Sequence, residues 1–153
     1  MSEMLFDASK NGDAAKVKAL IEAGADVHAV DERGWTALFM ACHNPELNRG
    51  FPDVVEALIA AGADFEKCIG YGMRPLMIAA GYGEAGVVDV LIKAGAKIKA
   101  ENEGGRTAMQ MATDKNYVEV VNLLWEAQML SGDVGTCGST KTVNFVKFEN
   151  RQT

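Results

Sequence analysis

The feature that most constrains this chain is self-similarity at a fixed period. Three phrases recur: LIEAGADVHA at 20–29, LIAAGADFEK at 58–67 and LIKAGAKIKA at 91–100. Gly62 and Gly95 stand 33 residues apart, and Gly24 and Gly62 stand 38 apart. A second marker repeats both intervals: GWTAL at 34–38, GMRPL at 72–76 and GRTAM at 105–109. Two independent phrases thus share one period and one five-residue insertion. A period of this length signifies stacked supersecondary units, each burying its apolar face against the next.

Within a unit the residues prescribe a helix pair. The T-A-L or R-P-L phrase opens a first helix, with Thr36 and Thr107 as N-caps whose hydroxyls take up free backbone N–H groups. Pro75 suits the first helical position, where a missing N–H costs nothing. Leu38, Ala41 and Cys42 recur as Leu76, Ala79 and Ala80, a leucine among small residues that lets helices approach closely. After a break at Gly12, Gly83 or Asn116, a second helix runs through Val54, Val55, Leu58 and Ile59, repeated as Val87, Val88, Leu91 and Ile92. Gly24, Gly62 and Gly95 stop it as left-handed C-caps. What remains before the next unit is long enough only for a hairpin turn.

Helix–turn–helix–hairpin at this period resembles the ankyrin-repeat family, whose motif is close to DxxGxTPLHxAAxxGxxxVVxLLLxxGADVNA. The resemblance covers residues 3–127 and implies an all-α solenoid with short β-hairpin loops. It divides a repeat domain, 1–130, into units 3–30, 31–68, 69–101 and 102–127, followed by a C-terminal extension, 131–153. Three departures from the motif matter. Lys10, Lys16 and Lys18 make unit one polar, as a terminal unit requires. Arg74 replaces the capping threonine of unit three, which weakens that helix start by about 1 kcal/mol unless another group caps it. Gln128 replaces the capping glycine of unit four, so the last helix runs on to about Leu130 before Ser131-Gly132 ends it.

Two segments lie outside the repeat. The insertion falls in HNPELNRGFPD, 43–53, where Pro45, Gly50 and Pro52 make a loop. It is either a tolerated surface insertion or an extra contact loop anchored by Phe51. The extension opens with a Gly-, Ser- and Thr-rich linker and continues to Val143, Phe145, Val146 and Phe148, a short segment of high β-propensity. It either folds back over the last unit as a cap or serves as a partner-binding strand.

Reactive machinery is not legible. The three cysteines, Cys42, Cys68 and Cys137, form no framework and suit a reducing, cytoplasmic setting. The sequence contains no CxxC or HExxH, and the adjacent pair Cys42–His43 does not make a metal site. Gly81, Gly83 and Gly86 match GxGxxG, yet they sit in a helix–helix break rather than after a strand, where a pyrophosphate cradle would need them. No nucleophile–base pair is arguable, so the expectation is a non-enzyme without cofactor or metal. No run approaches the length of a membrane span, and the first residues lack the basic and apolar regions of a secretory signal.

The formal net charge is −6, which argues against nucleic acid, whose phosphates are held by Lys and Arg. The charge is uneven: residues 1–66 carry 5 basic and 12 acidic side chains, residues 67–153 carry 10 and 9. This is either a solvated surface or an acidic half that steers a basic partner.

What the resemblance implies about function is recognition of another protein through a concave face of hairpin tips and first helices. Carried over by position, that face includes Arg33, Trp35, His43 and Asn44 from unit two. Unit three gives Tyr71, Met73, Arg74 and Tyr82, and unit four gives Arg106. Trp, Tyr and Arg dominate binding energy when buried in an interface; alternatively, some of these rings only pack on neighbouring hairpins. Phe39 and Met77, one position further in, should be partly buried. The expectation is a free monomer that binds a protein partner through units two and three, used as an adaptor or as a dedicated inhibitor of one enzyme.

Overall fold

In the computed structural model the described residues are 2–131; the extension beyond them, with its capping or strand-adding segment, lies outside the described residues. Among the described residues eight α-helices pair off: α1 (Ser2–Asn11) with α2 (Ala14–Glu22), α3 (Ala37–Cys42) with α4 (Pro52–Ala60), α5 (Pro75–Gly81) with α6 (Ala85–Ala94), and α7 (Ala108–Asp114) with α8 (Val118–Ser131). First helices stack in one row, α1 on α3 on α5 on α7, and second helices in another, α2 on α4 on α6 on α8. The expected all-α solenoid is the observed fold, and its hairpins are isolated bridges, Val30 with Thr36, Ile69 with Met73 and Glu101 with Thr107.

The helix ends follow the local chemistry. Thr107 and Gln110 form a reciprocal capping box, each side chain satisfying the other's backbone N–H. Thr36 accepts from the N–H of Phe39. At the same place in unit three Arg74 gives no side-chain cap, and Pro75 follows it as the first helical residue. Gly95 caps α6 in the left-handed region, φ 102°, where a Cβ would clash with its own backbone. Helix α8 runs to Ser131 because Gln128 offers no such stop.

The core is the repeated Leu, Val and Ala positions, now stacked. Leu38, Val54, Val55 and Leu58 of unit two and Leu76, Val87, Val88 and Leu91 of unit three are all buried. Phe39 and Met77, expected to be partly buried, are fully buried. Their helices, α3 and α5, pack between the first helices of the units on either side, which counting along one helix does not reveal.

Aromatic side chains lock units together across the helix–helix break. Phe51 precedes α4 and lies on Gly12 of unit one, where a Cβ would come within 2.4 Å of its ring. Tyr117 precedes α8 and lies on Gly83 in the same way, at 2.9 Å. Phe51 is therefore buried and not an outward anchor for a partner. It ties the inserted loop to the stack instead. Asn44 holds the same loop, with backbone hydrogen bonds to Arg49 and its Nδ2 donating to the Lys10 carbonyl at 2.6 Å.

Candidate functional site

Two of the three hairpins are held by a short acceptor at the base. Asp31 Oδ1 accepts from the N–H groups of Arg33 and Trp35, each at 2.9 Å. Asn102 does the same for Gly104 and Arg106 at 2.9 and 3.0 Å. Burial pushes the Asp31 carboxyl up, but the Trp35 and Arg33 N–H groups and the Arg33 guanidinium outweigh it. They hold Asp31 below its ordinary value of 3.8. Ile69 takes this position in unit three and cannot accept, so that hairpin leans on the next one: the Glu103 N–H donates to the Tyr71 carbonyl at 3.1 Å. Tyr71 itself sits at φ 66°, a left-handed conformation that is uncommon for a large side chain.

The nine residues read from the repeat positions divide into three groups. Tyr71 and Tyr82 are more than half exposed, at 59% and 53%, and Arg33 and Arg106 are exposed as well. Trp35, Met73 and Arg74 are half-buried. Arg33 lies over the Trp35 ring at 4.1 Å while pairing with Asp31, and Trp35 in turn leans on Phe39 at 6.4 Å between ring centres. Arg74 pairs with Glu66 at 3.0 Å, and the other Glu66 oxygen accepts the Lys97 N–H at 2.6 Å, so this arginine joins units two and three.

His43 and Asn44 form the third group and correct the sequence reading. They are buried, at 7% and 2% exposure, and occupied with internal contacts. His43 Nδ1 lies 2.7 Å from Glu84 Oε2, and its ring stacks parallel on Tyr82 with 3.8 Å between centres. His43 follows α3 directly at the start of the inserted loop, and Glu84 of unit three faces it. Cys42, beside it, is wholly buried. Burial, and then the nearby Glu84 charge, push its thiol far above the ordinary range, which disfavours the thiolate.

The structure brings Met73, Tyr82 and Arg106 together. They border a groove of about 300 Å³ between α5 and α7, floored by Met73, Met77, Ile78 and Met111. Tyr82 and Gly81 close one side; Arg106, Asp114 and Lys115 form the charged rim, with Arg106 and Asp114 paired. Arg33 instead borders a separate hollow of about 430 Å³ with Ser2, Glu3, Phe6 and Glu32. Ile78 and Met111 were not in the sequence-based set, although each falls one period from the next, at the position of Met40. Glu84 was also missed, because its partner is 41 positions away.

The groove offers apolar contact, hydrogen bonding from Tyr82 and charge at the rim. Among the described residues no group of three or more His, Cys, Asp or Glu could hold a metal ion. Among the same residues no helix is long and apolar enough to cross a membrane.

Comparison with known proteins agrees with the architecture. The family model described as Ankyrin repeats (3 copies) matches residues 5–99 and 46–133. Ankyrin repeat domain-containing protein 63 of Mus musculus is 35% identical over 112 residues, 71% of this chain and 27% of the relative. Ankyrin repeat domain-containing protein SAT10 of Stachybotrys chartarum is 32% identical over 124 residues, 81% of this chain and 6% of the relative. Protein phosphatase 1 regulatory subunit 27 of Homo sapiens is 43% identical over 60 residues, 39% of this chain and 36% of the relative. The match thus covers between 6% and 36% of the length of these relatives. Ankyrin repeats generally mediate protein–protein interaction. By its repeat, its stacked helix pairs and these matches, the chain belongs to the ankyrin-repeat family.

Proposed function

We propose that this chain is a non-catalytic binding module that takes a segment of a protein partner along the face of hairpin tips and first helices. The contact centres on the groove between α5 and α7. The observation that carries this reading is the groove's composition, a methionine floor beside an exposed tyrosine and a charged rim. Methionine side chains adapt to apolar shapes, and Tyr and Arg supply the contacts that dominate interfaces. The weight of the site moves from units two and three to units three and four, because His43 and Asn44 are spent on internal contacts. Tyr71, Arg33 and Trp35 extend the same face along the hairpin tips.

A narrower use is regulation or inhibition of one enzyme. The likeness over 60 residues to a protein named as a phosphatase regulatory subunit supports it. The acidic residues 1–66 favour a basic partner in either use.

The test is affinity capture with intact chain and with Tyr82→Ala and Met111→Asp, followed by measured affinity for the protein retained. Loss of about 2 kcal/mol or more on Tyr82→Ala, with unchanged unfolding temperature, supports the site. A captured protein that binds both variants as tightly as the parent chain refutes it. Inhibition is distinguished from adaptor use by whether the captured protein is an enzyme whose turnover stops on binding.

A further inference from the structure

Three of the eight methionines, Met73, Met77 and Met111, meet at the α5–α7 groove, and they differ in access. Met77 is sealed at 1% exposure, whereas Met73 and Met111 are partly open. Met73 also meets a donor: the Asn102 Nδ2 lies 3.5 Å from its Sδ. The orientation of that amide is fixed, because Oδ1 accepts from the N–H groups of Gly104 and Arg106 and leaves Nδ2 for the sulfur. In unit two Asp31 performs the same hairpin task with a carboxylate, which has no donor to offer. The hairpin alone therefore does not call for an amide; the donor that distinguishes Asn102 from Asp31 is spent on Met73.

We infer that Met73 is a reversible oxidation site: a peroxide turns this part of the groove floor from apolar to polar, and Asn102 keeps the product in the fold. A lone pair of the Met73 Sδ attacks the outer oxygen of hydrogen peroxide. The S–O bond forms as the O–O bond breaks. The transferred oxygen gives its proton to the departing hydroxide, so the products are a sulfoxide and water. Sulfur loses an electron pair and the peroxide gains it. A methionine sulfoxide reductase removes the oxygen as water at the expense of two thiols, which reverses the change. A thioether is a weak acceptor, and a sulfoxide oxygen is a far stronger one. The Asn102 Nδ2 already lies beside the sulfur and can donate to that oxygen without releasing the hairpin. This donor meets only one lone pair. An apolar partner segment seated on the floor would have to strip water from the rest, which opposes binding. The inference rests on the groove being the contact surface, and it adds how that surface is switched.

The experiment uses the full chain carrying Met111→Leu, which leaves Met73 as the open thioether among the groove residues. After brief treatment with hydrogen peroxide, mass spectrometry of proteolytic peptides should find oxygen on Met73 and none on Met77. The methyl signals of Ile78, in the groove, should move, while those of buried Leu58 stay; sulfoxide reductases should reverse the shift. Oxidation should lower the unfolding temperature by about 4 °C more once Asn102→Asp removes the donor and keeps the hairpin acceptor. Oxidation of Met77 as fast as Met73, unmoved Ile78 signals, or equal temperature shifts in the two chains would each overturn the inference. For a protein retained at the groove, affinity should fall about tenfold on oxidation and stay constant when Met73→Leu is added; unchanged affinity of the oxidised chain also overturns it. The peptide, methyl and unfolding readouts need no partner. A failed capture experiment therefore tells against the groove as a binding surface and leaves the oxidation result standing.

Discussion

The rings of His43 and Tyr82 lie parallel, 3.8 Å apart, although one is buried and the other more than half exposed. His43 Nδ1 is in turn held by Glu84 at 2.7 Å. An exposed tyrosine on the proposed binding face is therefore positioned by a buried contact between units two and three. This preorganisation lowers the entropy lost when a partner immobilises the ring.

Glu84→Ala should leave the buried His43 nitrogen without its partner. The expected effect is a loss of about 1–3 kcal/mol of stability, read as a lower midpoint in denaturant unfolding. The Tyr82 ring signals should also move, because the imidazole below them is released. A midpoint equal to that of the parent chain would show that the contact contributes nothing.

Trp35 and Tyr82 should separate under alanine substitution. Tyr82 rests on the surface, so Tyr82→Ala should change stability by no more than about 0.5 kcal/mol. Trp35 is half-buried between Arg33 and Phe39, so Trp35→Ala should cost about 1–3 kcal/mol through lost packing. Equal unfolding temperatures for the two variants would place Trp35 outside the packed structure.

Asp31 and Asn102 do the same task in two hairpins, which supplies an internal control. Because its neighbours hold the folded Asp31 carboxyl below its ordinary value of 3.8, its stabilising contribution is complete above that value. It is lost as pH falls through the lower folded value. Asp31→Asn should keep both accepted N–H bonds and flatten the fall in stability below about pH 4. Asp31→Ala should cost about 1–2 kcal/mol at neutral pH. Unfolding midpoints followed from pH 7 to pH 2 check both expectations.

Phe51 should behave as core. Phe51→Ala opens a cavity over Gly12 and should cost about 3–5 kcal/mol, without weakening a partner bound to the folded chain. Gly12→Ala should also destabilise, since its φ of 78° and the ring 2.4 Å from the added Cβ both oppose a side chain. A stable, weakly binding Phe51→Ala variant would restore the loop as a contact surface.

The helix pairs, their caps at Thr36, Thr107 and Gly95, the overrun of α8 and the family were legible from the sequence alone. Each is set by residues within a few positions of one another, and the period then repeats them. Tyr82, Met73 and Arg106 were legible as face positions for the same reason. Only stacking decided which of those positions stay open. His43 meets a carboxylate 41 positions on, Phe51 closes over a glycine 39 positions back, and Met111 joins Met73 across two units. Such pairings arise when adjacent units exclude water from the space between them. A linear pattern records which side chains are apolar but not which neighbour covers each one.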